Sequence, residues 1–210
     1  LRFSPALVLA YLIMIAAWPW AAQSPLNPVR GLFQFAEFHY HIQTWLDGQR
    51  YEMATAPRLY VPIYLAIRLP LLLLGAAAFS LALVMLPQTM SRLFPQTQRR
   101  ETAMVIFMVL FPLACQVIGH GPAFTGMRHF LFVVPLLAVL AAIALNAVIG
   151  SFGRKHLAFA MAAFALVLAD VGMNVRQLYE LHPYEYLYYN RLVGGIHGAA
   201  RRYVMDYWVE

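Results

Sequence analysis

Long apolar runs, separated by short turns that carry arginine, constrain this chain more than any other feature. A membrane-spanning helix needs about 20 mostly apolar residues, because the hydrocarbon layer is about 30 Å thick and each helical residue rises about 1.5 Å. Only 11% of the residues are charged and 62% are hydrophobic. Five runs meet the length test, approximately Pro5 to Ala22, Tyr60 to Leu86, Thr102 to Gly119, His129 to Gly150 and Leu157 to Asn174. We therefore expect an all-α integral membrane protein with about five transmembrane helices, an external interfacial helix and an external C-terminal tail.

Basic residues in the turns predict the orientation of these spans. Arg92, Arg99 and Arg100 follow the second span, and Arg154 and Lys155 follow the fourth. Because cytoplasmic loops are enriched in Lys and Arg, we expect both turns inside. The chain then divides into a multi-span region, residues 1–174, with an external loop at 23–58, and an external aromatic-rich tail, residues 175–210. Arg-rich, Lys-poor usage is typical of some bacteria, so we expect the bacterial inner membrane with the tail on the periplasmic side.

The external loop contains an amphipathic pattern. From Gly31 to Leu46, the residues Phe35, Phe38, Ile42 and Trp45 recur at helical spacing. Such a pattern predicts an interfacial helix, with Asp47 and Gly48 as its stop. Three prolines fall within spans, where neighbouring helices can satisfy the freed carbonyls, and they predict kinks rather than breaks. They are Pro70, Pro112 and Pro135.

The two ends of the sequence indicate a piece of a longer protein. The chain begins at Leu1 with no signal-type segment before the first run, and it stops at Glu210 directly after a polar and aromatic stretch. We expect the C-terminal portion of a larger membrane protein.

Ionisable residues inside spans are costly and are functional candidates by default. Arg68 lies within the second run and Asp170 near the end of the fifth, both expected toward the external side. A group of arginines at one depth suits an anion, especially a phosphate. A structural interpretation stays open, in which Arg68 pairs with Asp170 and the remaining arginines reach for lipid headgroups. The other candidates at the external ends of spans are Arg58, Tyr60, Arg128 and His129.

Several chemistries are not expected. Cys115 is the single cysteine, and His39 and His41 would point in opposite directions on a helix, so we expect no disulfide and no metal site. No Ser-His-Asp arrangement, phosphate-binding Gly-rich loop or dinucleotide motif is present in the sequence. Without such motifs we expect no cofactor. The arginines lie between apolar runs rather than on one basic face, so we expect no nucleic-acid partner.

Three stretches resemble bacterial membrane proteins related to the dolichyl-phosphate-mannose protein mannosyltransferases. Residues 48–70 read GQRYEMATAPRLYVPIYLAIRLP, residues 126–142 read GMRHFLFVVPLLAVLAA, and residues 182–195 read HPYEYLYYNRLVGG. Asp206, Tyr207 and Trp208 follow the third stretch, as in those proteins. The order and spacing of the stretches carry the resemblance, since each motif alone is weak.

The resemblance implies a glycosyltransferase of the C-type membrane superfamily. Such an enzyme moves a sugar from a polyprenyl-phosphate donor to an acceptor on the external face of the membrane. By resemblance, Arg58, Tyr60, Arg128 and His129 are donor-phosphate candidates, whereas Arg68 and Asp170 come only from the analysis of the spans. The catalytic acid of these enzymes lies in a first external loop that this chain does not contain, so the catalytic residue is unknown and we expect the piece alone to be inactive. A transporter or flippase of a lipid-linked anionic substrate, or a noncatalytic membrane scaffold, is the alternative.

Overall fold

The computed structural model describes residues 4–24, 26–36, 43–85, 96–121, 125–152 and 157–205. The described chain is mostly helical and forms two compact units, residues 1–40 and 41–210. Short 3-10 turns occur at Arg128–Phe130, Glu185–Leu187 and Arg191–Val193. The helices and strands are α1 (Ser4–Ala17), α2 (Pro19–Ala22), α3 (Asn27–Ala36), β1 (Gln43–Leu46), β2 (Gln49–Glu52), α4 (Tyr60–Arg68), α5 (Leu71–Met85), α6 (Gln96–Gly119), α7 (Val133–Phe152), α8 (Leu157–Leu181) and α9 (Gly195–Ala199).

Three helices in the described residues are long and apolar enough to cross a membrane. They are residues 98–119 of α6, residues 133–150 of α7, and the whole of α8. The bent pair of α4 and α5 makes a fourth if it is counted as one span. These apolar helices indicate membrane association, and they correspond to three of the five predicted runs, or to four with the bent pair.

In the first unit, the predicted run from Pro5 to Ala22 does not form one continuous helix. Trp18 is extended between α1 and α2, with φ −122° and ψ 93°. Pro19 explains this, because a proline ring disfavours a helical conformation in the residue before it. Gly31 lets α3 approach Trp18 and Trp20 closely, because a Cβ at that position would lie 3.2 Å from the rings of both tryptophans.

The prediction of a kink at Pro70 is wrong, because the helix breaks there. α4 ends at Arg68, Leu69 is extended with ψ 151°, and α5 leaves at an angle of 120°. The cause is again the steric restriction that a proline places on the preceding residue. Pro112 lies inside α6 without breaking it, and Pro135 lies in the first turn of α7, where a backbone N–H has no helical partner.

The prediction of one interfacial helix from Gly31 to Leu46 is wrong at its C-terminal end. α3 stops at Ala36, residues 37–42 lie outside the described part of the chain, and Gln43–Leu46 is a strand paired with Gln49–Glu52. Asp47 and Gly48 have φ values of 51° and 80°. Positive φ at both central residues is characteristic of the two-residue turn whose twist matches that of the strands in a β-hairpin. The Asp-Gly pair is therefore a hairpin turn rather than a helix stop, and the mostly helical fold contains this β-hairpin.

The long helices lie in two different environments. α5, α6 and α7 pack against one another, and the Ser80 hydroxyl donates a hydrogen bond of 2.5 Å to the Leu140 carbonyl between α5 and α7. α8 continues past the predicted end at Asn174 to Leu181, and none of its described side chains is buried. A long apolar helix without buried side chains is the kind that lipid surrounds.

Candidate functional site

One face of α4 organises the candidate residues. Tyr60, Tyr64 and Arg68 follow one another at intervals of four, so they lie on the same side of the helix. All three are buried, with exposed fractions of 1%, 0% and 8%. The first and last of them were predicted from the sequence as phosphate-binding candidates.

Tyr60 connects the β-hairpin to the segment that leads into α7. Its hydroxyl lies 2.5 Å from the Thr44 hydroxyl, and the Gly126 backbone N–H donates a hydrogen bond of 2.9 Å to it. Gly126 comes just before Arg128. Tyr60 therefore holds the start of the Arg128–Phe130 turn in place.

Tyr64 connects the same hairpin to the C-terminal segment, which we define as residues 182–205. Its hydroxyl donates a hydrogen bond of 2.5 Å to the Trp45 carbonyl and accepts one of 3.0 Å from the Val204 N–H. The Tyr203 ring meets the Tyr64 ring edge to face at 6.0 Å. Tyr64 was not among the predicted residues, although its position midway between Tyr60 and Arg68 could have indicated it.

Arg68 holds the C-terminal segment from the end of α4. Its guanidinium donates to the Tyr186 carbonyl, to the Tyr189 hydroxyl at 2.7 Å and to the Val204 carbonyl at 2.9 Å. It also lies 4.0 Å above the Tyr189 ring, a favourable cation–π arrangement. A cation at this end of a helix additionally complements the helix dipole. Arg68 therefore binds groups of the protein itself, and it lies two turns of α4 from Tyr60.

Asn190 caps α4 from the C-terminal segment and was also missed by the sequence analysis. Its amide nitrogen donates to the Ala66 and Leu69 carbonyls at 2.6 and 2.7 Å, and its backbone N–H donates to the Ile67 carbonyl at 2.9 Å. The last carbonyls of a helix lack partners within the helix, so these bonds satisfy them. A single asparagine in a tyrosine-rich stretch gives no sequence signal for this role.

Arg58 binds the end of a different helix. One of its terminal nitrogens donates to the Val117 and Ile118 carbonyls at 3.2 and 2.9 Å, at the C-terminus of α6. Nearby, Nε2 of His120 lies 2.7 Å from the Ala56 carbonyl oxygen. Arg58 therefore ties the approach to α4 onto α6, with its side chain still exposed.

Arg128 and His129 form an exposed pair at the entrance to α7. The Arg128 Nε–H donates to the His129 Nε2 at 3.3 Å, and both side chains are exposed. Two effects lower the pKa of His129 from its usual value: partial burial is the larger, and the positive charge of Arg128 is the smaller. A neutral imidazole is therefore favoured beside the guanidinium.

Asp170 lies on α8, and its carboxylate is bound by a residue of the same helix. Its carboxylate accepts a hydrogen bond of 3.0 Å from the Asn174 amide, whose oxygen accepts one of 2.6 Å from the Tyr188 hydroxyl. Among the ion pairs in the part of the chain that the structure describes, none joins Asp170 to Arg68. The alternative interpretation, in which these two residues pair, is therefore not what the structure shows.

The six sequence candidates thus separate by environment. Tyr60 and Arg68 are buried in the framework around α4, Arg58 is bound to the end of α6, and Asp170 belongs to α8. Arg128 and His129 present exposed polar groups beside a span-length helix. Ligand binding at any of the six stays a prediction. Across the described ranges, no group of three or more His, Cys, Asp or Glu residues could hold a metal ion.

These features define a mostly helical protein whose apolar helices indicate membrane association, with a polar framework around a short bent helix. Comparisons with protein-family models, with curated proteins and with solved structures find no match to the chain.

Proposed function

We propose that this chain is part of a membrane glycosyltransferase, which moves a sugar from a polyprenyl-phosphate donor to an acceptor on the external face of the membrane. One observation carries the proposal: the three stretches that resemble such enzymes meet around α4. Tyr60 of the first stretch binds the Gly126 N–H of the second. Asn190 of the third stretch caps α4 through the Ala66 and Leu69 carbonyls of the first. Stretches far apart in sequence that share one framework are expected if their similarity reflects a common site.

Within this proposal, Arg128 and His129 bind the donor phosphate. They are exposed at the start of a span-length helix, the level at which a polyprenyl phosphate carries its charge. Negative charge develops on the phosphate as the sugar leaves, and a fixed guanidinium stabilises it. Arg58, Tyr60 and Arg68 act in positioning, since they hold α4, α6 and the turn before α7 together. The catalytic base is not assigned to any residue of this chain.

The proposal is tested by Arg128→Ala in the protein expressed from its complete reading frame. Membranes are supplied with a radiolabelled polyprenyl-phosphate sugar, and the KM for the donor is compared with that of the unaltered protein. We expect the donor KM to rise about tenfold or more, because a charge-assisted hydrogen bond to phosphate contributes about 1.5–3 kcal/mol. Arg100→Ala is the matched control, since Arg100 is an exposed arginine in the first turns of α6. An unchanged donor KM in Arg128→Ala, or an equal rise in Arg100→Ala, contradicts the assignment.

The orientation is part of the same proposal. We place the C-terminal segment on the periplasmic side of a bacterial inner membrane, because the sequence carries Arg92, Arg99 and Arg100 between the second and third apolar runs and Arg154 between the fourth and fifth. Protease added to intact spheroplasts is expected to cleave within residues 182–205, and cleavage only after lysis contradicts it.

A transporter or flippase of a lipid-linked anion is the second candidate function, and the bent pair α4 and α5 favours it. Discontinuous helices are typical of transporter substrate sites. Here α4 and α5 meet at a 120° break, and Arg68 is the last residue of α4. Reconstituted vesicles distinguish the two functions. Movement of a labelled lipid phosphate across the bilayer without sugar transfer favours the transporter, and sugar transfer without movement favours the transferase.

A further inference from the structure

A groove lies between the last turns of α8 and the segment Arg191–His197. Its volume is about 600 Å³, and Arg176, Gln177, Glu180, Arg191, Gly195 and His197 are among its lining residues. We infer that this groove binds a phosphoester group at the level of the lipid headgroups. The site differs from the Arg128–His129 pair and does not depend on the proposed transfer reaction.

Its position follows from the character of α8. The helix is apolar enough to span a membrane, and the groove lies along its last two turns, from Met173 to Leu181. Arginine and glutamate replace apolar residues in these turns, at Arg176 and Glu180. The end of an apolar span is where hydrocarbon gives way to headgroups, so the groove opens at the depth of lipid phosphates.

The charges of the groove favour an anion. Arg176 donates through Nε to the Glu180 carboxylate at 2.8 Å and has a side chain that is 80% exposed. Arg191 donates to the Met173 sulfur at 3.0 Å, and a thioether is a weak acceptor. A guanidinium carries five N–H donors in a planar fork that matches phosphate oxygens. Two arginines and one glutamate therefore leave the groove with excess positive charge and with donors beyond those these two bonds use.

The groove is built by bonds that fasten the C-terminal segment to α8. The Gln177 amide donates to the Tyr189 carbonyl at 3.1 Å, and the Tyr188 hydroxyl donates to the Asn174 oxygen at 2.6 Å. These bonds lie just before Arg191 in the chain, so they fix where its backbone runs relative to Arg176. Gly195 has φ +64° and leaves that wall of the groove without a side chain.

Binding by the purified full chain tests the inference. The chain is held in an uncharged detergent and titrated with phosphatidic acid, and separately with inorganic phosphate, with bound ligand counted by native mass spectrometry. We expect saturable binding, weakened about tenfold by either Arg191→Gln or Arg176→Gln, since each removes a charge-assisted bond to phosphate. Arg201→Gln removes an exposed charge from the same C-terminal segment outside the groove and is expected to leave binding unchanged.

Each outcome decides the matter. Saturable binding of phosphatidic acid but not of phosphate, weakened by both groove variants, supports the groove and identifies a lipid headgroup as the source, whereas binding that neither variant weakens overturns the inference. Binding of inorganic phosphate with the same response to the variants supports it and identifies a soluble phosphoester. Absence of saturable binding for both ligands overturns it, as does an equal loss in Arg201→Gln, which indicates general surface charge. Circular dichroism checks the helicity of every variant, and if Arg191→Gln unfolds, the result for the exposed Arg176→Gln decides. The effects of Arg191→Gln and Arg176→Gln on binding are measured without any sugar transfer, so the groove and the proposed transferase can fail separately.

Discussion

The surroundings of α4 and the end of α8 use the same residue types in opposite ways. Around α4, Arg68 is 8% exposed and donates hydrogen bonds to the Tyr189 hydroxyl and to the Tyr186 and Val204 carbonyls of the C-terminal segment. At the end of α8, Arg191 is exposed and meets only a methionine sulfur among the described hydrogen-bond acceptors. The role of an arginine in this protein is therefore set by the groups it meets when the chain folds, rather than by its place within an apolar run.

This contrast has an energetic consequence. Removing one partner of a buried hydrogen bond leaves the other unsatisfied, at a cost of about 1–3 kcal/mol for each group. Exposed ion pairs contribute less, because water and salt screen them. Substitutions around α4 should therefore change stability, whereas substitutions at the end of α8 should change ligand binding.

Arg68→Ala should give the largest loss of stability. The change leaves the Tyr189 hydroxyl and the Tyr186 and Val204 carbonyls without this donor, so the free energy of unfolding should fall by about 3 kcal/mol or more. Unfolding by a denaturing detergent, followed by far-UV circular dichroism, measures it. Arg68→Lys should recover only part of the loss, because an ammonium group lacks the planar fork that reaches several acceptors. A variant as stable as the unaltered protein would mean that the C-terminal segment is held without Arg68.

Asn190→Ala should cost somewhat less, about 2 kcal/mol, since it frees the Ala66 and Leu69 carbonyls at the end of α4. Limited proteolysis adds a local measurement, because loss of the cap should increase cleavage within residues 182–205 more than within α7. The matched control is Asn146→Ala, which changes an exposed asparagine of α7. Equal losses in both variants would mean that the cap at the end of α4 does not stabilise the protein.

Apolar length predicted much of the fold, and it failed where local stereochemistry decides. The runs that became α6, α7 and α8 could be predicted, because lipid imposes one simple length rule on helices. The break at Pro70 and the hairpin at Asp47–Gly48 could not be predicted by that rule, since both depend on backbone angles of single residues. Of the candidate site, the sequence indicated Arg68 and Arg128 but not their different burial. That difference arises from the C-terminal segment, which lies more than 110 residues after Arg68 in the sequence. This segment buries Arg68 and accepts its hydrogen bonds, whereas Arg128 stays exposed.

Gly48→Ala tests the hairpin that covers α4 and should have a smaller effect. Gly48 has φ +80°, a conformation that costs a residue with a side chain about 1 kcal/mol. A Cβ there would lie 3.8 Å from the Arg201 carbonyl, an ordinary contact, so backbone strain is the main cost. Gly75→Ala in α5 is the control, because a Cβ at Gly75 meets nothing within 4 Å and alanine favours a helix. If Gly48→Ala is as stable as Gly75→Ala, the positive φ at the turn is contradicted.

The smallest effect concerns the pH dependence of His129. Its pKa in the folded protein is lowered, first by partial burial and then by Arg128, whereas in the unfolded chain it should be about 6.5. Between these two values the unfolded chain binds more protons, so the free energy of unfolding should fall slightly as the pH falls through this window and should be unaffected above it. Titration of the imidazole by NMR, assigned with His129→Gln, measures the pKa directly. Arg128→Ala should raise it part of the way toward the usual value, because burial, the larger cause, remains. A pKa that does not move in Arg128→Ala would mean that the guanidinium does not act on the imidazole, and the two residues would then not form one anion-binding pair.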